Sequence, residues 1–221
     1  MTRSRPVIAL DGPAGAGKSS VAKAVADALG FVLVDTGALY RGIALAAQEA
    51  GVPWEDGPAL GALAEKAQLG FAPGPRLLLN GADREDEIRS PAMGQGASKV
   101  SAHPEVRAAL LGIQRRLGAD GGVVLEGRDI GTVVFPDAEV KVFLTATAEE
   151  RAHRRHGDLQ KRGVESDYSE LLASIKERDE RDSTRAVAPL RPAEDAVLLD
   201  STDLGFDEVV ARVVALVRGD G

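Results

Sequence analysis

The residues Val7 to Leu10 form a short apolar run that leads straight into Asp11-Gly12-Pro13-Ala14-Gly15-Ala16-Gly17-Lys18-Ser19, and this junction constrains the rest of the chain more than any other. The run reads as a buried strand. After it, Val21, Ala22, Val25, Ala26 and Leu29 recur at helical spacing, with Gly30 as the stop. Between strand and helix, Gly12, Gly17, Lys18 and Ser19 match G-x-x-x-x-G-K-[ST]. Glycines let the backbone turn tightly and aim N–H groups inward, and the following helix adds its positive end. Lys18 has the reach for outer phosphates, and the Ser19 hydroxyl is of the kind that ligates Mg²⁺. A chance glycine-rich turn would not be framed in this way.

A chain built around such a junction needs partners for its strand. Phe31 to Val34, Val123 to Leu125, Val140 to Leu144 and Ala196 to Leu199 have the length and composition of buried strands, with helical patterns between them. The expectation is an α/β doubly wound parallel sheet. One region breaks the alternation. Residues 57 to 95 contain Leu69-Gly70-Phe71, the turn Ala72-Pro73-Gly74-Pro75, Arg76-Leu77-Leu78-Leu79 and the hairpin signal Asn80-Gly81, which reads as a small antiparallel insertion.

Ligands of open parallel sheets gather at the carboxyl ends of the strands. At the second strand's end stands Asp35-Thr36-Gly37-Ala38-Leu39-Tyr40-Arg41, read as a helix start with Thr36 as N-cap and Arg41 in the first turn, a second anion site expected near the phosphate loop. At the third strand's end come Glu126-Gly127-Arg128-Asp129, with Glu126 able to hold a metal-bound water and Arg128 able to meet a phosphate. Further on, the run Lys-Glu-Arg-Asp-Glu-Arg-Asp-Ser-Thr-Arg from 176 to 185 continues the stripe of a helix that begins apolar. At 100° per residue from Leu171, Ile175, Arg178, Asp182 and Arg185 stay within about 40° of one line. Leu171 and Ile175 should face the core, so the charges on their line should also face inward, toward an anion, because buried charge is costly unless paired.

Composition narrows the partners. The 34 acidic against 27 basic residues argue against a nucleic-acid polymer. Of the basic residues 20 are Arg and 7 Lys, a bias toward the fork that matches phosphate oxygens, though a GC-rich genome writes the same bias. Without cysteine there is no disulfide, thiolate metal site or cysteine nucleophile. No uninterrupted apolar run exceeds five residues, so no membrane span is expected, and the basic start lacks an apolar region of signal length, which points to the cytoplasm.

The segments DGPAGAGKSS, DTGALYRGIAL, IRSP with GASKVSAHPEVR, EGRDIGTVVFPDA, EERAHRR and IKERDERDSTRAVAPL occur in that order, and with them the chain resembles the bacterial cytidylate (CMP) kinases along nearly its whole length. The resemblance implies a P-loop NTPase fold: a five-stranded parallel sheet flanked by helices, a small antiparallel NMP-binding insertion at about 57–95, and a short helical lid at about 149–165, all in one domain. It implies phosphoryl transfer from ATP, with Mg²⁺, to CMP or dCMP, by a monomer. The phosphate loop, here Gly12, Pro13, Ala14, Gly15, Ala16, Gly17, Lys18, Ser19 and Ser20, would hold ATP, with Ser19 on Mg²⁺ and Glu126 reaching the metal through water. Lys18, Arg128 and Arg185 would be catalytic. Arg41, Arg128 and Arg185 would grip the CMP phosphate. Thr36, Arg107 and Asp129 would read cytosine, Ser98, Arg178 and Asp182 would sit at the sugar, and Tyr40 would join the acceptor site.

The stretch Glu149 to Arg162, with Arg151, Arg154 and Arg155, resembles the arginine-bearing lid that closes over ATP, and Arg154 is the one expected on the nucleotide. From periodicity alone Arg107 only flanks the buried stripe Val106, Leu110, Ile113 and Leu117. The segment Asp83-Arg84-Glu85-Asp86-Glu87 is more charged than the family leads one to expect. The acceptor is itself a phosphate oxygen, so His103, His153 and His156 need no role and are expected at the surface. Other kinases of small acceptors (UMP, AMP or shikimate) and a nucleotide-binding switch without turnover share the loop. The absence of an Asn-Lys-x-Asp segment weakens the switch.

Overall fold

The computed structural model describes residues 3–161 and 163–219. They divide into two compact units: one runs up to Leu33 and resumes at Asp120, the other is Val34–Ala119.

The first unit is organised by β1 (Val7–Asp11), buried along its whole length. It pairs in parallel with β6 (Val123–Gly127) in the register Val7↔Val123 to Asp11↔Gly127, and with β7 (Val140–Thr145) from Ile8↔Val140 to Asp11↔Phe143. With β2 (Val32–Asp35) and β8 (Val197–Asp200) the sheet has the order β2-β6-β1-β7-β8. Apolar side chains on both faces explain why β1 reads as a continuous hydrophobic run. The register also brings the ends of β1 and β6 level, so the glycine loop and Glu126-Gly127-Arg128 leave the sheet side by side. Helices α1 (Lys18–Leu29) and α9 (Phe206–Arg218) close the core through Val21, Val25, Val209 and Val213. Gly30 ends α1 in the left-handed conformation, as its position after the stripe predicts. β8 departs from expectation. As an edge strand it buries Leu199 and leaves Leu198 65% exposed, because a strand with one neighbour has less to bury it.

The second unit packs α2 (Thr36–Glu49) against α5 (Pro91–Val100) and α3 (Gly57–Lys66) against α6 (Pro104–Gly118), around Leu39, Ile43, Leu60, Val100, Val106 and Leu110. A separate antiparallel sheet, β3 (Leu69–Ala72), β4 (Arg76–Leu79) and β5 (Ala82–Asp83), takes only part of the stretch 57–95; α3, the single turn α4 (Glu85–Ile88) and the start of α5 fill the rest. Asn80 and Gly81 have φ of 52° and 81° and join β4 to β5 as a two-residue hairpin loop. The unusual charge of 83–87 is satisfied locally. Arg76 pairs with Asp83, Arg84 with Glu49 and Glu87, and Arg89 with Glu85, while a Glu85 oxygen accepts the Leu77 N–H at 2.9 Å.

The remaining helices belong to the first unit: α7 (Ala148–Lys161) packs against α8 (Tyr168–Thr184). No helix of the described residues is long and apolar enough to cross a membrane.

Helix α5 approaches α2 closely at Gly96, where an added Cβ would lie 2.8 Å from Ala44 Cβ and 2.8 Å from the Trp54 ring. Trp54 donates its indole N–H to the Ala44 carbonyl at 3.0 Å. Gly96→Ala gains helix propensity but overpacks this contact. The expected net loss is about 1–3 kcal/mol, read from denaturant unfolding followed by Trp54 fluorescence, with the native emission shifted as the indole is displaced.

Candidate active site

In the first unit the chain turns sharply where β1 ends. Gly12 has φ 147°, and a Cβ there would lie 1.9 Å from the Leu144 carbonyl oxygen, so only glycine fits. Gly15 and Gly17 also have positive φ, 78° and 87°. Gly17 caps α1 without a side-chain hydrogen bond, and no acidic residue occupies the first turn. The leading N–H groups of α1 are therefore not covered by a cap of its own, the arrangement that receives an anion. Pro13 and Ala16 are buried, and Ser19 and Ser20 are exposed at the helix start.

Lys18 lies 6% exposed with its ammonium donating to the Pro13 carbonyl at 2.7 Å. Burial and the nearby guanidinium groups of Arg128 and Arg178 push it well below its ordinary pKa, with Glu126 and Asp11 opposing. Ser19 Oγ donates to Glu126 at 2.8 Å. The Asp11 carboxylate, absent from the sequence-based site, accepts the N–H groups of Ile130 and Gly131 at 2.8 and 2.7 Å. It thereby anchors the short π-helical segment Ile130–Val134 that follows Asp129. Burial lifts Asp11 to about 6 even though those two donors and Lys18 pull the other way.

The charged end of α8 does turn inward. Asp182 is 2% exposed and Arg185, the C-cap, is also buried; Arg178 is half-buried. Arg128 donates to Asp182 at 3.0 Å, Arg178 stands 3.8 Å from the same oxygen, and Arg185 lies 3.6 Å from Asp129. Five residues expected in the site are therefore brought together. The Asp182 carbonyl accepts from Leu190 N–H at 2.8 Å and Arg185 donates to the Ala188 carbonyl at 2.7 Å, closing the turn after the helix. Leu171 is half-buried rather than core. The outer charges of the run also find partners: Arg181 bonds Glu177 at 2.5 Å.

The second unit carries its own set. Asp35, not Thr36, is the N-cap of α2: its carboxylate accepts Ala38 N–H at 3.0 Å, and Thr36 is the first helical residue. An Asp one position earlier outcompetes Thr for the cap, and Arg41 accordingly lies in the second turn. There it donates to Asp35 at 2.6 Å, while Arg89, which sequence reasoning missed, donates to the same carboxylate at 2.9 Å. Burial opposes ionisation of Asp35, but Arg41 and Arg89 outweigh it and hold the carboxyl below its usual range. Thr36 and Tyr40, one turn apart on α2, are buried. Arg107 is buried as well, against the expectation that it merely flanks a stripe; its guanidinium lies 5.6 Å from the Tyr40 ring centre and donates to the Ser101 carbonyl at 3.3 Å. Ser98 is buried on α5.

Arg154 is committed elsewhere than to open space: it bonds Glu150 at 2.8 Å and the carbonyl of Ser201 at 2.5 Å. Arg155 is exposed, and Arg162 lies outside the described residues. His153 is exposed as expected, but His103 and His156 are half-buried and bonded to the Trp54 carbonyl and to Ser166, each at 2.9 Å. No group of three His, Asp or Glu residues among the described residues forms a metal cage. The Ser19–Glu126 pair instead offers one hydroxyl and one carboxylate beside a phosphate cradle, the sparse oxygen set that suits Mg²⁺.

A parallel sheet whose central strand runs through a glycine loop into a helix bearing Lys and Ser defines a P-loop protein. Comparison with family profiles matches cytidylate kinase over residues 8–219. The chain is 48% identical over 215 residues to the cytidylate kinase of Pasteurella multocida, covering 96% of this chain and 95% of that one. It is 50% identical over 219 residues to that of Pseudomonas aeruginosa, covering 97% and 96%. It is also similar to a gluconokinase structure from Sinorhizobium meliloti, with TM-score 0.50 and 20% identity over 99% of this chain and 94% of that one, a likeness of fold. The chain belongs to the cytidylate kinase family.

The pairing around Asp35 gives a pH-dependent expectation. A carboxyl held low contributes stability that is present above its unfolded value, ~4, and is lost as pH falls through the lower folded value. Asp35→Asn is expected to lower stability by about 1–3 kcal/mol at pH 7, with the gap to the parent shrinking below about pH 4, measured by urea unfolding of the Trp54 signal from pH 3 to 7.

Proposed function

We infer that this chain transfers the terminal phosphoryl group of ATP to the phosphate of CMP or dCMP, releasing ADP and CDP or dCDP, as a cytoplasmic monomer. The observation that carries this reading is the convergence of Lys18, Arg128, Arg178 and Arg185 on buried carboxylates beside the phosphate loop, in a chain of the cytidylate kinase family. An acceptor phosphate oxygen attacks the terminal phosphorus of ATP while the bond from that phosphorus to the bridging oxygen breaks, so the electron pair leaves with ADP. No protein nucleophile or base is needed, because the attacking oxygen is already anionic. What the reaction needs is positioning and positive charge.

Gly12 to Ser20 form the loop that holds the ATP phosphates, with the backbone N–H groups of its residues other than Pro13 as donors, and Lys18 follows the moving phosphoryl group. Arg41, Arg128 and Arg185 serve to hold the acceptor phosphate. Thr36, Arg107 and Asp129 read the base; Tyr40 lines its site; Ser98, Arg178 and Asp182 hold the sugar. Ser19 and Glu126 would hold Mg²⁺, the hydroxyl as a ligand and the carboxylate by way of water. When bound, the ion neutralises part of the phosphate charge. Residues 149–165 serve as the lid that excludes water, with Arg154 turning to ATP, and 57–95 as the NMP-binding insertion.

The test is ADP release from Mg·ATP with CMP, dCMP, UMP, AMP, GMP and shikimate as acceptors. Turnover is expected with CMP and dCMP, falling by about 10²- to 10³-fold in Arg185→Ala. Binding of ATP without ADP release for any acceptor would leave the switch as the better account. A second expectation follows from Lys18. An arriving polyanion restores its ordinary pKa, so nucleotide binding should take up protons, and affinity should be full below the free protein's Lys18 pKa and decline as pH rises through it. Calorimetry of ADP binding in two buffers of different ionisation enthalpy, repeated across pH, measures that uptake.

A further inference from the structure

Of the arginines of α7 the nucleotide reading gives a task only to Arg154, and of the two it leaves over, Arg155 is exposed and Arg151 is buried. It is 4% exposed, so it is not a side chain waiting in solvent. Its guanidinium makes a two-pronged pair with Asp179 of α8, at 3.0 and 2.5 Å. Two further donors go to backbone carbonyls, Nε to Ala146 and NH1 to Ala14, each at 2.9 Å. Four of the five N–H groups are therefore directed, and one of their targets is the phosphate loop itself.

That contact has a geometric consequence. The Ala14 carbonyl and the Gly15 N–H belong to one planar trans peptide and point to opposite edges of it. A donor that fixes the carbonyl on one side fixes the N–H on the other. Without such a donor, Gly15, with φ 78° and no side chain, is free to let this peptide rotate. The backbone of α7 reinforces the restraint, since a Cβ on Gly15 would meet Arg151 Cβ at 3.3 Å. Because Asp179 neutralises the guanidinium at short range, Arg151 adds little charge of its own to the loop.

We propose that Arg151, oriented by Asp179, is a positioning residue for the phosphate loop: by holding the Ala14 carbonyl it keeps the Gly15 N–H turned toward the bound phosphates. This rests on the reading of the loop as the ATP site. It differs from the lid role that its place in the sequence suggests, because the guanidinium acts on the protein backbone and touches no part of the nucleotide.

The experiment measures binding of ADP and of inorganic tripolyphosphate to the parent, Arg151→Ala, Arg151→Lys, Asp179→Asn and Arg151→Ala/Asp179→Ala, together with KM for ATP and for CMP. Losing a charged hydrogen bond that orients a donor is expected to weaken ADP and tripolyphosphate alike by roughly 10- to 100-fold in Arg151→Ala. KM for ATP should rise while KM for CMP stays within about twofold. Arg151→Lys should rescue little, since one ammonium cannot make the fork. Asp179→Asn, the milder change, should show a smaller loss in the same direction. The double variant should be no worse than Arg151→Ala, as expected when one residue acts through the other. A loss confined to ADP, with tripolyphosphate unaffected, would mean direct contact with base or sugar and overturn the proposal. So would unchanged ADP binding in Asp179→Asn and Arg151→Ala, or equal rises in both KM values. A parent that binds neither anion would overturn the ATP reading beneath it as well.

Discussion

The organisation of the phosphate-loop unit rests on one requirement: cations taken out of water must have partners at short range. Lys18, Arg128, Arg178 and Arg185 stand among Asp11, Glu126, Asp129 and Asp182, four formal positive charges against four negative ones when all are ionised. The carboxylates let the guanidinium groups be held in place before any phosphate arrives. They also set a limit, because each arginine already has something to leave. Any anion entering such a site would have to displace a carboxylate from an arginine, an exchange that favours anions of higher charge.

Backbone geometry supplies what the charges cannot. Gly12 passes so near the Leu144 carbonyl that no side chain is possible there, and Asp11, one residue earlier, holds the start of the segment after Asp129 through two N–H groups. The first constraint comes from β7 and the second from the segment that follows β6, the two strands adjacent to β1 in the sheet. The loop's shape is thus inherited from the parallel register of β1 with β6 and β7, in which Asp11 stands level with Gly127 and Phe143.

Features whose cause is local were legible in the sequence. The strand–glycine–helix junction, the Asn80-Gly81 hairpin and the inward stripe of Arg178 and Asp182 each depend on a few neighbouring residues and a fixed periodicity. Features decided by distant residues were not. Thr36 looked like the cap because the helical stripe begins after it, while the deciding fact is that Asp35 serves the cap and two arginines at once. Arg89 lies 54 positions from Asp35, and although it stands in the IRSP segment, no local pattern there ties it to that carboxylate. Arg107 reads as a flank on a helical wheel, yet Tyr40 and the Ser101 carbonyl cover it. β8 has the composition of a core strand and becomes an edge only through the order of the sheet, a property of the whole topology rather than of four residues.

The discontinuity of the first unit has a consequence for how the chain is made. Strand β1, at the centre of its sheet, emerges from the ribosome long before β6, its partner from residue 123 onward, and β7 later still. The intervening unit Val34–Ala119 is contiguous and owns a core of its own. Contacts of short sequence separation form early, and domains tend to complete as units during synthesis. A strand that ends up buried along its whole length must therefore wait, unpaired, while a unit with its own core is completed downstream of it. Its four residues before Asp11 carry only hydrocarbon side chains, a segment that a nascent-chain chaperone has reason to shield.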